Sequence, residues 1–224
     1  MRRMLTNVEK EGVLALLHET SCEIGVRLSA PQAELFWLYL QELLEWSRTF
    51  PLTAVTDPAD IVIKHFVDSL SPLPYLEVST NLLDIGSGAG FPGIPLKIAA
   101  PDLRLSLVDA NRKKVSFLKQ VVRTLKLREV AVRHGRVEDL PATGQPFTTI
   151  ISRAFRRLEP LLDLVSPLLS PGCLLVAMLG PTRAPQHRRF RELAATRGLH
   201  LSRLVALELP RAKGGRTLVF FRKG

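Results

Sequence analysis

Apolar positions recur at helical spacing through the first third of the chain and gather into short continuous runs thereafter. Intervals of three and four mark amphipathic helices over 7–26, 32–46 and 59–70. Pro31 stands where a helix start tolerates a missing amide, and Ser29 can cap the free N–H groups there. Pro72 and Pro74 then interrupt the pattern. Beyond them seven runs read as strands, 81–85, 104–108, 130–133, 147–152, 174–179, 201–207 and 217–221. Helical stretches alternate with them: a short one over 93–99, one over 112–127 and another long one near 187–197. The second carries Val115, Leu118, Val122 and Leu125 on one stripe. Such alternation predicts a parallel sheet covered on both faces, and the last two runs predict a terminal hairpin. The expected fold is α/β, with a Rossmann-like, seven-stranded doubly wound sheet over 77–224 and an N-terminal helical extension over 1–76. No internal repeat or low-complexity segment interrupts it.

Composition fits that picture. A chain of 224 residues, 46% hydrophobic, can fill one substantial core and a small appended region. Cys22 and Cys173 lie far apart, form no CxxC pair, and are expected to be reduced core residues. No metal site is expected. The first residues carry two arginines but no continuous apolar stretch, which argues against a secretory signal. The apolar segment 160–181 is broken by Asp163, Pro167, Pro171 and Gly172, so it reads as core helix, turn and core strand rather than a membrane span. A cytoplasmic protein without membrane association is expected, working as a monomer.

Charge changes the picture more. Through Leu76 six Lys+Arg face ten Asp+Glu, whereas the remainder holds 25 against 11. Clusters fall at 112–114, 153–157, 183–197 and 211–223. Any single cluster reads most simply as a solvated helix face. Their sum over one domain points to a polyanionic partner.

The chemistry concentrates in 82–93, LLDIGSGAGFPG. An apolar strand ends at Asp84, and Gly86, Gly88 and Gly90 follow at alternate positions. Glycine there lets backbone approach a ligand that a Cβ would block. Asp109 closes the next apolar run, where a carboxylate can accept both hydroxyls of a ribose. Nicotinamide chemistry is disfavoured, since the dinucleotide fingerprint needs a third glycine where Phe91 stands. Acid-x-Gly-x-Gly-x-Gly resembles the first motif of Rossmann-like class I methyltransferases, which bind S-adenosylmethionine. After the third strand, Val137 packing and the backbone around Glu138 could hold an adenine, although a plain loop start explains Glu138 and Asp139 equally well. After the fourth, Arg153 either faces the substrate or pairs structurally with Asp84 or Asp109. The fourth-strand segment SRAF lacks the Asn/Asp-Pro-Pro-aromatic pattern of exocyclic-amine transfer, and neither cysteine is placed to activate a pyrimidine. Guanine N7 offers an in-plane lone pair and no proton to remove, so positioning and electrostatics suffice there.

The segments KHFVDSL at 64–70, LLDIGSGAGFPGIPL at 82–96, LVDANRKKVSFLKQV at 107–121 and ISRAF at 151–155 resemble the RsmG (GidB) family. These are bacterial methyltransferases acting on guanine N7 of small-subunit (16S) ribosomal RNA, and the resemblance runs from about Trp46 to the C-terminus. It implies S-adenosylmethionine as cofactor and small-subunit rRNA, or the small subunit itself, as partner. It further implies that Asp84, Gly86, Ser87, Gly88, Phe91, Asp109, Arg136, Val137, Glu138 and Arg153 bind cofactor, and that Arg153 and His65 are catalytic. Three positions depart from the pattern. Pro51 replaces the asparagine of an Asn-Leu-Thr triplet, Ser47 replaces an asparagine after Trp46, and Leu179 replaces the lysine of a Lys-Gly pair. That lysine is a natural partner for guanine O6 or phosphate, a role Arg183 or Arg216 could cover. The departures keep two alternatives open: a non-catalytic rRNA-binding or assembly protein retaining the fold, and a methyltransferase with another acceptor.

Overall fold

The computed structural model describes residues 6–77, 80–140, 146–153, 157–181, 186–212 and 214–224. Helices α1 (Asn7–Glu23) and α2 (Ala30–Ser47) both open on capping boxes, Thr6 with Glu9 and Ser29 with Gln32. In each, the cap oxygen accepts the third amide while the third side chain reaches back to the cap N–H. The third predicted helix is not uniform. It divides into α3 (Pro58–Ile61), a π-helical turn (Val62–Val67) and α4 (Asp68–Leu70). A single widened turn leaves the apolar spacing nearly intact, so the sequence pattern cannot register it.

Seven strands follow: β1 (Asn81–Ile85), β2 (Arg104–Asp109), β3 (Val130–His134), β4 (Thr149–Ser152), β5 (Leu174–Leu179), β6 (Leu199–Glu208) and β7 (Gly215–Lys223). Their order is β3-β2-β1-β4-β5-β7-β6. The first five run parallel, and β7 pairs antiparallel with both β5 and β6. The expected doubly wound sheet with a terminal hairpin is thus the observed one. β6 and β7 extend two residues further at each end than apolar content suggested, apart from the single added residue closing β6. Apart from the buried Leu199, ladder pairing there continues through glycine and polar positions that are exposed or half-buried.

The connecting helices are α5 (Gly93–Ala99), α6 (Arg112–Thr124), α7 (Leu158–Val165) and α8 (His187–Ala195). α6 buries Val115, Phe117, Leu118 and Val121. Val122, placed on the buried stripe from the sequence, is half-buried instead; Phe117 and Val121 face inward. Strand alternation feeds two cores. Leu82, Leu105, Leu174 and Val176 join Leu17, Tyr39, Phe66 and Phe117 on the face that carries the front helices. Leu83, Ile85, Ile150 and Leu175 join Leu162 and Phe190 on the other. Of the two free cysteines only Cys173 is buried; Cys22 is exposed, contrary to expectation, on the outer side of α1. Among the described residues no helix is long and apolar enough to cross a membrane, and no group of three His, Cys, Asp or Glu could hold a metal.

β1 pairs with β2 on one side and β4 on the other, so the chain winds outward in both directions from it. Ligand crevices in open α/β sheets form at the carboxyl ends of such strands.

Candidate functional site

The glycine loop leaves the carboxyl end of β1 and is held from three sides. The amides of Gly86 and Ser87 donate to the Val108 carbonyl at 2.9 and 3.2 Å, tying it to β2. Asp109 Oδ2 accepts from the Gly88 amide at 2.8 Å while Oδ1 accepts from Asn111 at 2.8 Å. Each carboxylate oxygen keeps a second acceptor site. From α2, the buried Tyr39 hydroxyl donates to the Ala89 carbonyl. Burial pushes that phenol well above its ordinary range, so it remains a donor. The Ser87 hydroxyl donates to the Asp84 carbonyl at 2.9 Å, which commits it to shaping the loop.

Two glycines permit the close approach. A Cβ at Gly90 would lie 2.6 Å from the Tyr39 hydroxyl, and φ there is +96°. At Gly93 it would lie 2.6 Å from Leu107 Cδ2 and 2.8 Å from Asp84 Oδ2. Gly93, not position 91, therefore seats helix against strand. This leaves position 91 free for Phe91.

Asp84 is fully buried. Its Oδ2 accepts the Gly93 amide at 2.9 Å, and its Oδ1 has no partner among the described residues. Desolvation raises the carboxyl to about 7, against the Gly93 hydrogen bond and the Arg153 charge. The folded state thus holds a proton that the unfolded chain has released above about pH 4. Asp84 accordingly costs stability as pH rises from about 4 to about 7, with no further loss above. Asp84→Asn should unfold at a higher temperature relative to the parent at pH 7.5 than at pH 5, as read by parallel thermal melts. A gap independent of pH would contradict the shifted carboxyl.

Beside the ends of β2 and β3 lies a cleft of about 290 Å³ lined by Val108, Arg133, His134, Gly135, Arg136, Asp139 and Leu140. Of the adenine residues expected there, Arg136 lines the cleft. Val137 packs into the second core at 4% exposure, and Glu138 is exposed to solvent.

A second constellation stands across β1, at the end of β4. Arg153 donates to Asp68 Oδ2 at 3.1 Å, and Arg216 of β7 holds the same carboxylate through Nε at 2.6 Å and Nη2 at 2.9 Å. The sequence suggested Asp84 or Asp109 as a structural partner for Arg153, but the salt bridge is to Asp68. The Arg153 guanidinium lies over the Phe91 ring at 5.1 Å, and His65 stacks on that ring at 4.7 Å. His65 Nε2 meets the Thr53 hydroxyl at 2.7 Å. Its Nδ1 lies 3.0 Å from the Lys64 carbonyl and 3.3 Å from Arg153 Nη2. As an N–H it serves the carbonyl, and as a bare nitrogen it accepts from Arg153. Burial first, then the Arg153 charge, lower His65 to about 4, so the ring is neutral at ordinary pH.

A family model described as rRNA small subunit methyltransferase G matches residues 32–213. The chain belongs to that family. Relatives of the same name include one from Geobacter sp. (strain M21), 39% identical over 205 residues, covering 91% of this chain and 94% of that one. Another, from Alkalilimnicola ehrlichii, is 40% identical over 208 residues, covering 92% and 91%. Among solved structures, a SAM-dependent methyltransferase from Aquifex aeolicus superposes with TM-score 0.55 at 16% identity, covering 74% of this chain and 93% of that one. The B. subtilis tRNA methyltransferase TrmK gives TM-score 0.57 at 14% identity over 70% and 65%. At these identities the likeness is one of fold, the class I methyltransferase sheet.

The departures from the family pattern now have places. Pro51 is exposed, while Thr53 of the same triplet contacts His65. The Ser47 hydroxyl is buried without a partner among the described residues. Leu179, in the lysine position, is half-buried at the end of β5. Arg216, one candidate to cover for that lysine, is committed to Asp68; Arg183, the other, lies outside the described residues, as do positions 154 and 155 of the ISRAF motif. Sequence reasoning missed Asp68, Thr53 and Tyr39. Asp68 had a signal in its place in the HFVDSL motif, and Thr53 in its place in the triplet with Pro51; Tyr39 had none.

Proposed function

We propose that this chain transfers the methyl group of S-adenosylmethionine to guanine N7 of small-subunit ribosomal RNA, acting as a cytoplasmic monomer. The observation that carries the reading is the convergence of two groups at one sheet edge. The glycine loop, with the unpartnered Asp84 Oδ1 behind it, stands next to the Arg153–His65–Phe91 stack. The cofactor supplies an electrophilic sulfonium methyl. Asp109 has acceptor sites to spare for the ribose hydroxyls, the unpartnered Asp84 oxygen can accept from the methionine ammonium, and Arg136 lines the cleft sized for the adenine. Gly86, Ser87 and Gly88 present backbone to the cofactor, with Val137 and Glu138 flanking the adenine cleft, and Phe91 backs the loop as the platform on which His65 and Arg153 lie.

With the cofactor bound, the N7 lone pair would form the new N–C bond as the S–C bond broke, and the positive charge would pass to the guanine. No proton leaves, so no general base is required. Neutral His65, with its ring nitrogens engaged by Thr53 and by Lys64 or Arg153, stacks beside Phe91 without repelling the cofactor's charge, and Arg153, anchored by Asp68, has guanidinium donors left for a base oxygen or phosphate. Position and electrostatics carry the rate.

The direct test is labelled methyl transfer to small subunits lacking guanine-N7 methylation, with cleavage at 7-methylguanosine mapping the product. Signal at one guanine is expected. Cofactor binding without transfer would overturn the reading. It would favour a non-catalytic RNA-binding protein, the alternative supported by Leu179 in the lysine position.

A further inference from the structure

We infer that the cleft between α7, the end of β5 and α8 receives a nucleotide adjoining the methylated guanine, an inference that rests on the methyltransferase reading above. The cleft measures about 770 Å³, within the roughly 300–1,000 Å³ of small-ligand sites. Nothing in the cofactor geometry uses it. Ser152 pairs with Ala177, so Leu179 and Arg153 emerge at the same edge of the sheet from adjacent strands. They serve opposite faces, however. Arg153 joins the front-helix side through Asp68 and Phe91, whereas Leu158 and Phe190 of the cleft belong to the second core. An RNA strand crossing this edge would set one base against Arg153 and the next in the cleft.

The lining suits a nucleotide. Its accessible apolar surface comes from half-buried Leu179 and Leu193, laid over the buried Leu158 and Phe190. A base plane can lie on such a surface whatever its sequence. Cations rim it. Arg157 is exposed, and Arg189 is 62% exposed while giving Nη2 to Glu159 at 2.7 Å. Most of the Arg189 donors are unused by that bond. A phosphodiester fits this rim, and the excess of cations beyond Leu76 favours RNA over a neutral ligand. Where the family pattern has lysine, Leu179 gives the floor an apolar surface and leaves charge to the rim.

The test measures binding of the full chain to transcribed 16S rRNA and to small subunits across salt concentrations, beside S-adenosylmethionine affinity and methyl transfer. The Arg157→Ala/Arg189→Ala double variant should bind RNA about tenfold more weakly. Its plot of log K against log salt should flatten by about 1.4, two single-strand phosphate contacts. Cofactor affinity should hold. Leu179→Lys should bind more tightly at low salt and steepen the slope by about 0.7, a gain that misfolding cannot mimic. Wild-type slopes in both variants, with methylation intact, would overturn the cleft assignment and leave the methyltransferase reading standing. Weakened binding to assembled subunits but not to free rRNA would overturn it in favour of a ribosomal protein contact. Failure of the parent chain either to bind or to methylate RNA would overturn both readings.

Discussion

Asp68→Ala should lower the unfolding midpoint by roughly 6–20 °C and abolish methyl transfer. Asp68 is fully buried and is the carboxylate shared by the Arg153 and Arg216 guanidiniums. Removing one member of a buried ion pair leaves the other charge uncompensated, at about 3–5 kcal/mol. A chain of this size converts each kcal/mol into about 2–4 °C. The guanidinium side chains are 19% and 28% exposed, so both can turn partly toward water, which sets the lower end of the range. Asp68→Asn keeps the shape and one acceptor but not the charge, and should fall between. The loss of activity follows from geometry, since Arg153 is held over Phe91 and beside His65 by this carboxylate alone among the described acidic groups. Thermal melts followed by circular dichroism check the stability, and a midpoint within 2 °C of the parent (an order-of-magnitude bound) would mean that the two arginines find other partners.

Much of this architecture was legible in the sequence because it is local. Strand β5 and helix α5 fall on their predicted bounds, β5 because it is an uninterrupted apolar run between breakers and α5 because it lies between the glycine loop and Pro101. The glycine spacing and the acids near the ends of β1 and β2 marked the glycine loop for the same reason. The Arg153–Asp68–Arg216 cluster was less legible because three distant segments build it. Arg153 and Asp68 are 85 residues apart, and Arg216 and Asp68 are 148 apart. No periodicity distinguishes a carboxylate that will be buried between two guanidiniums from one on a wet helix face. Asp68 stands between Val67 and Ser69, an ordinary polar position in a helical pattern. The π turn just before it is equally silent, because apolar residues at Val62, Ile63, Phe66 and Val67 satisfy either helix. Gly93 was read only as the start of a helix. Its packing role depends on Leu107 from the next strand.

Asp109→Ala should weaken S-adenosylmethionine binding by about 100-fold or more. The carboxylate has two structural obligations before any ligand arrives, the Gly88 amide at 2.8 Å and the Asn111 amide at 2.8 Å. Hydrogen bonds to a charged acceptor contribute about 1.5–3 kcal/mol each. Alanine removes the Gly88 anchor, so the loop no longer keeps its shape, and it removes the acceptors proposed for the ribose hydroxyls. Asp109→Asn separates charge from shape. Its amide nitrogen must face either the Gly88 or the Asn111 N–H, donor against donor, so asparagine should bind nearly as poorly as alanine. A role in shape alone would be rescued by asparagine. Titration calorimetry with the cofactor reads both variants. Affinity within about threefold of the parent for Asp109→Ala, well under 1 kcal/mol, would place the ribose away from β2. The glycine loop would then have to hold its form through the Val108 carbonyl, Tyr39 and its bonds to Asp84.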